Sequence, residues 1–292
     1  MMDAAKAPQI WIPKGTKPLS SHGTGHSIGL VGESGVGKSW LGRQMQMDDE
    51  FRDKILFITA ENTNNTLEDL SVKYVREVRS INEAKEVLRE CAAAERAGKL
   101  EFSVIFVDSV SGINDFQTEA YDSGGATIYA ESGGRNKLAE FGDRGAGNIS
   151  LMKIGRDEIR MADVVFVCTT AGENLCVPGK MTPDNFRRMT SVCLSLRPEK
   201  RRFPNYDPDN PPRIIEAGEI PEKGESTIQR FPHRSIEVDE NGRVSGYFLD
   251  RVFTTMHMGE VGAKSHRNLA MRERAYLPDL IRKLHGRKAK YT

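Results

Sequence analysis

The chain has 292 residues, a net charge of +1, 38% hydrophobic residues and four cysteines. That length suits one α/β domain with extensions and a sizeable core, and the near-zero charge excludes a polyanion binder by bulk composition. No run approaches the roughly 18 apolar residues of a membrane span, and the N-terminal stretch MMDAAKAPQIWIPKG has no secretory core, so a cytoplasmic protein is expected. Cys91, Cys168, Cys176 and Cys193 show no C-x-x-C spacing, and neither a zinc site nor a disulfide framework is expected from them.

In chain order, residues 1–25 are rich in Pro, Gly, Ser and Lys and read as an arm. A short apolar run from Ser27 to Val31 precedes a glycine-rich loop, and residues 38–47 suit a helix. KILFIT (54–59), FSVIFVD (102–108), DVVFVCTT (163–170) and SVCLSLRP (191–198) are compact apolar runs suited to buried strands, with Cys168 a small core residue. Residues 66–98 have helical spacing, and so does Ser150–Arg160. The glycine pairs within 111–148 predict a long loop with one short helix. Strands separated by helices predict a mostly parallel sheet covered on both faces. Residues 203–212 are rich in Pro and Asp and read as a loop, and 213–253 as short strands with turns. The last 32 residues carry nine Lys or Arg against Glu273 and Asp279, a net +7. Helical spacing over 267–286 would dock Leu269, Leu277, Leu280, Ile281 and Leu284, with Pro278 splitting the helix in two. The boundaries are an arm at 1–25, a core at 26–202, a β-rich extension at 203–262 and a basic tail at 263–292.

The loop Gly32-Glu33-Ser34-Gly35-Val36-Gly37-Lys38-Ser39 matches G-x-x-x-x-G-K-[ST]. A chain that wraps phosphates must turn its N–H groups inward, through backbone angles that glycine adopts cheaply. The helix that follows offers its N-terminal amides and positive dipole end to the same anion. Lys38 then reaches the β- and γ-phosphates, the Ser39 hydroxyl ligates Mg²⁺, and Trp40 completes the nucleotide-contacting stretch.

Asp108 ends an apolar strand, from where its carboxylate would face the loop from the neighbouring strand end and hold Mg²⁺. Glu61 follows KILFITA and emerges at the carboxyl edge of the sheet, where it is placed to polarise a water for attack on the γ-phosphate. Thr169 and Thr170 end the next strand and offer hydroxyls that sense the γ-phosphate or orient that water.

The stretches GESGVGKS, ILFITAEN and VIFVDSVSGI resemble the RecA-like P-loop ATPases. Within that family, GENLCVPGKMTPDNF (172–186) is similar to the segment after the sensor strand in phage nucleotide-binding ATPases that include single-strand annealing proteins. The resemblance covers roughly residues 26–198 and implies an α/β RecA-like fold that binds and hydrolyses ATP with Mg²⁺. It also implies that Glu61 is the catalytic base, and it places the family's Asp-Ser pair after the apolar strand on Asp108 and Ser109. It makes single-stranded DNA the partner and a homo-oligomer the working form, with nucleotide at subunit boundaries, in phage-type DNA metabolism within a host cytoplasm. Thr169 or Thr170 stands where RecA proper has glutamine, and nothing matches RecA's C-terminal domain.

The resemblance places two DNA loops at 111–148 and 171–186. The first carries Arg135, Lys137 and Arg144 interleaved with Tyr121, Tyr129 and Phe141, a pattern suited to phosphates and stacked bases, although its acidic residues nearly cancel the charge. Arg197, Lys200, Arg201 and Arg202 follow the fourth strand, as a charged loop entry or as fingers reaching a neighbouring subunit's nucleotide. Two other classes carry the same loop: a P-loop kinase of a small molecule or nucleotide, and a nucleotide-dependent switch that loads a protein partner.

Overall fold

The computed structural model describes residues 25–60, 73–170, 186, 188–204, 206–216, 219–231, 234–255 and 272–290. Its main sheet has the order β11-β10-β6-β1-β5-β4-β2-β3, with β9 also on β10. These strands are β1 (Ser27–Gly32), β2 (Ile55–Thr59), β3 (Val75–Glu77), β4 (Val104–Asp108), β5 (Asp163–Thr169), β6 (Val192–Arg202), β9 (Arg234–Val238), β10 (Val244–Thr255) and β11 (Arg272–Arg274). From β6 through β3 every pairing is parallel. β10 is antiparallel to β6, β9 and β11. β7 (Arg213–Ile215) and β8 (Thr227–Gln229) form a separate pair.

Alternation along each strand divides the core into two layers. Ile105, Val107, Val164, Phe166 and Cys168 face α2 (Ile81–Arg96), α3 (Val110–Asp122) and α4 (Lys137–Lys153). Val104, Phe106, Val165 and Val167 face α1 (Lys38–Met47) and α5 (Leu277–Leu284). Residues buried on both faces explain why these strands read as continuous apolar runs. The expected α/β sheet flanked by helices is therefore present. α1 lies so close to the sheet that a Cβ on Gly42 would meet the Phe57 ring at 2.4 Å.

Several expectations need correction. Residues 111–148 hold most of two long helices: Ser109 Oγ caps α3 by accepting from Gly112 N at 3.0 Å, and Asn136 caps α4 from Ala139 N at 3.0 Å. The buried amides of Asn114 and Asn148 bond each other and tie the two helices together. The glycine pairs at 124–125 and 133–134 mark only the turn between them. Within 66–98 the described residues include a strand, β3, and the helix starts at Ile81. α4 runs to Lys153 and ends in a π turn over Ile154–Glu158, so the helix predicted from Ser150 is the end of a longer one. Pro278 lies in the first turn of α5, where its missing N–H costs nothing, and it starts the helix rather than splitting it.

β6 and β10 are longer than predicted and pair from Tyr247↔Arg202 to Thr255↔Leu194. Arg197, Lys200, Arg201 and Arg202 therefore lie within a strand and not in a loop. Phe203, Val244 and Phe248 build a small satellite core beside them. Leu277, Leu280 and Ile281 dock in the main core as the spacing predicted, with Leu284 packed against it; Leu269 lies outside the described residues. The tail's charge is partly consumed there: Arg282 is buried against Asp48 and Asp279 and reaches Glu50, and Arg287 also pairs with Glu50. Among the described residues no helix is long and apolar enough to cross a membrane.

Candidate functional site

The glycine loop joins β1 to α1 at the carboxyl edge of the parallel strands. Gly35 and Gly37 take φ of 76° and 97°, the left-handed region that glycine enters without a Cβ penalty. The residues predicted to contact nucleotide, Gly32 through Trp40, are contiguous here, with Glu33, Ser34 and Gly35 exposed at the loop's crest. Lys38 begins α1 and folds back under that crest. Its Nζ donates to the carbonyls of Gly32 at 3.0 Å and Glu33 at 2.7 Å. A buried ammonium is thereby held inside a ring of main chain, as phosphate capture requires.

The strand ends align beside it. Gly32 is in register with Thr169, and Thr170 N donates to Gly32 O at 3.0 Å. Asp108 is in register with Thr59, and Ala60 N donates to Asp108 O at 3.1 Å. Asp108 is buried, and its peptide bond to Ser109 is cis. One placement differs from expectation. β5 lies between β1 and β4, so Asp108 approaches the loop from the second strand over and not from the neighbouring one. At about 4.8 Å per strand the two strand axes are roughly 10 Å apart, which leaves room for phosphate and a hydrated ion. Glu61 and most of 171–186 lie outside the described residues.

Behind this edge, Ser111 Oγ accepts from Thr169 N at 2.8 Å and meets Cys168 Sγ at 3.4 Å. Burial pushes the Cys168 thiol up to about 11, which leaves it protonated and chemically quiet, as a core residue should be.

Sequence reasoning missed Arg251. It lies on β10, far along the chain, yet its Nε donates to Val36 O in the loop at 3.2 Å and its guanidinium also reaches Ser235 Oγ at 2.9 Å. Burial lowers its pKa from the ordinary arginine value. Nothing local in LDRVF signals this role; only the β6–β10 register brings it there. Arg251 also lines a cavity of about 620 Å³ between α1 and the β-rich extension, together with Trp40, Arg43, Ile214, Phe231 and Ile236. Arg43 stacks over Trp40 at 4.6 Å.

Other expected residues have partners within the chain. Arg135 pairs with Asp122 and Glu140, and Arg144 lies over Tyr121 and Phe141. Lys200 pairs with Glu237, and Arg201 with Glu199.

No curated protein matches the chain. A solved structure described as a prototypical ATPase from the type III secretion system of pathogenic bacteria is similar at 15% identity with a TM-score of 0.38. The likeness covers 59% of this chain and 51% of that one, so this chain spans about half its length. Residues 24–154 match the family model of an AAA domain. That stretch contains the phosphate loop, α1 and the strand ending in Asp108, and it supports a P-loop ATPase domain here.

Proposed function

We propose that the chain binds ATP with Mg²⁺ and hydrolyses it. The observation that carries this reading is Lys38, held inside the loop at the same sheet edge as Asp108, Thr169 and Thr170. The loop amides and the start of α1 take the β- and γ-phosphates, and Lys38 exchanges its two carbonyl partners for phosphate oxygens. Ser39 and Asp108 supply a hydroxyl and a carboxylate, an oxygen donor set suited to Mg²⁺, which would neutralise charge on the transferred phosphoryl group. Glu61 activates the attacking water, and Thr169 or Thr170 reads the γ-phosphate. The base and ribose enter the cavity beside Trp40, whose volume and mixed lining suit them.

We further propose that the working form is a homo-oligomer that engages single-stranded DNA in phage-type DNA metabolism. The resemblance of 26–198 to RecA-like annealing proteins supports this. Hydrolysis would switch DNA-facing segments between ordered and loose states. The test is phosphate release from ATP with no added acceptor, with and without single-stranded DNA. Free phosphate without acceptor supports a hydrolase; ADP formed only when a small-molecule acceptor is added, with the phosphoryl group on that acceptor and no free phosphate, identifies a kinase. A salt-sensitive DNA mobility shift supports the DNA partner, and no shift at low salt favours a protein-loading switch.

A further inference from the structure

At the sheet edge opposite the phosphate loop, three side chains from three separate parts of the chain converge. His26 directly precedes β1, Asp163 opens β5, and His285 caps the end of α5. Ser27 pairs with Val164, which sets His26 level with Asp163. His26 Nδ1 is 3.2 Å from Asp163 Oδ1, and His285 Nε2 is 2.8 Å from Asp163 Oδ2. One donor atom from each residue lies within 4.8 Å of the other two. We propose that His26, Asp163 and His285 form a binding site for a divalent transition cation of the Zn²⁺ type.

The chemistry of the donors favours such an ion. Two imidazole nitrogens and one carboxylate oxygen suit Zn²⁺, Co²⁺ or Ni²⁺ over Mg²⁺ or Ca²⁺, which prefer all-oxygen ligands. Ligands about 2.1 Å from a tetrahedral ion sit roughly 3.4 Å apart; His26 Nδ1 and Asp163 Oδ1 are already near that spacing, and a modest shift of His285, which now bonds the other carboxylate oxygen, would bring all three donors around one ion. The buried carboxylate of Asp163 lies against two imidazoles, one on each oxygen. Neutral imidazole carries a lone pair on one ring nitrogen and is a ready metal ligand, which ammonium and guanidinium are not. The side chains of His26 and His285 are 19% and 18% exposed against 4% for Asp163, so an ion can enter from solvent and keep a water ligand.

The surroundings hold the donors in place. His26 N donates to Asp163 Oδ1 at 2.8 Å and fixes the carboxylate's orientation. Gly25 presses against residue 162, where a Cβ would lie 2.3 Å from the Ala162 carbonyl oxygen. The Glu95 carboxylate accepts from the N–H groups of Arg160, Met161 and Ala162, pinning the turn that leads into Asp163. The His26 and His285 rings meet edge to face with centroids 4.8 Å apart. An ion here clips the root of β1, the strand that carries the phosphate loop, to the C-terminal helix. The site does not depend on the ATPase reading.

The test uses the untagged full chain, stripped with chelator and titrated calorimetrically with Zn²⁺. The wild type should bind saturably. His26→Gln, His285→Gln and Asp163→Asn should each weaken binding by about 10–100-fold or more. Glutamine retains a donor for Asp163, so loss in the histidine variants reports ligation and not lost hydrogen bonding. Should those variants fail to fold, the wild type still answers: Zn²⁺ should suppress diethylpyrocarbonate modification of His26 and His285 together, read by mass spectrometry. Absence of saturable binding, wild-type affinity in both histidine variants, or unchanged modification of both rings at saturating Zn²⁺ would each overturn the proposal.

Discussion

Arg251 of β10 donates from Nε to the carbonyl of Val36 in the phosphate loop, 3.2 Å away. A strand more than two hundred residues downstream thus buttresses the loop's crest, and a Cβ on Gly37 would lie 2.9 Å from the same Nε. Arg251→Ala should loosen the loop without disturbing the sheet. A hydrogen bond from a charged donor contributes about 1.5–3 kcal/mol, so ATP affinity should fall at least about tenfold, measured by calorimetry. Unchanged affinity would mean that the loop holds its shape alone.

Lys38→Ala should abolish ATP binding. In the folded chain its ammonium bonds two loop carbonyls, and no other side chain within the loop supplies a positive charge. The measurement is the ATP-induced rise in melting temperature, which should vanish in the variant while circular dichroism shows the same fold.

Gly42→Ala should destabilise the fold. The new methyl group would lie 2.4 Å from the Phe57 ring and force α1 off the sheet. Overpacking of this kind costs about 1–3 kcal/mol, read as a lower urea midpoint at unchanged m-value.

Burial pushes the thiols of Cys91 and Cys168 up to about 11. A raised thiol pKa keeps the neutral form to higher pH, so both should resist iodoacetamide at pH 8 in the folded chain and react once urea unfolds it. Mass spectrometry of the labelled positions checks this.

The phosphate loop was legible because its function is contiguous: eight residues in a row carry the glycines, the lysine and the hydroxyl. Asp108 was legible as the polar end of an apolar run. The insertion of β5 between β1 and β4 was not, since strand order is set by crossovers that leave no local mark. The same holds for Arg251 and for His26, Asp163 and His285, which meet only through sheet register and the docking of α5. At 111–148 the glycine pairs outweigh the capping signals of Ser109 and Asn136, so two long helices read as a loop with one short helix. At Pro278 the residue's presence was read correctly but its position in the helix was not, and a proline in the first turn starts a helix that the same proline further along would break.

The most direct test of the central claim compares wild type with Glu61→Gln for ATP affinity and phosphate release in the same preparation. If the loop edge is a hydrolytic site, affinity stays within a few-fold and release falls at least about 100-fold, the loss typical of a missing general base. Release at the wild-type rate would contradict the account and leave the loop as a phosphate-binding element alone.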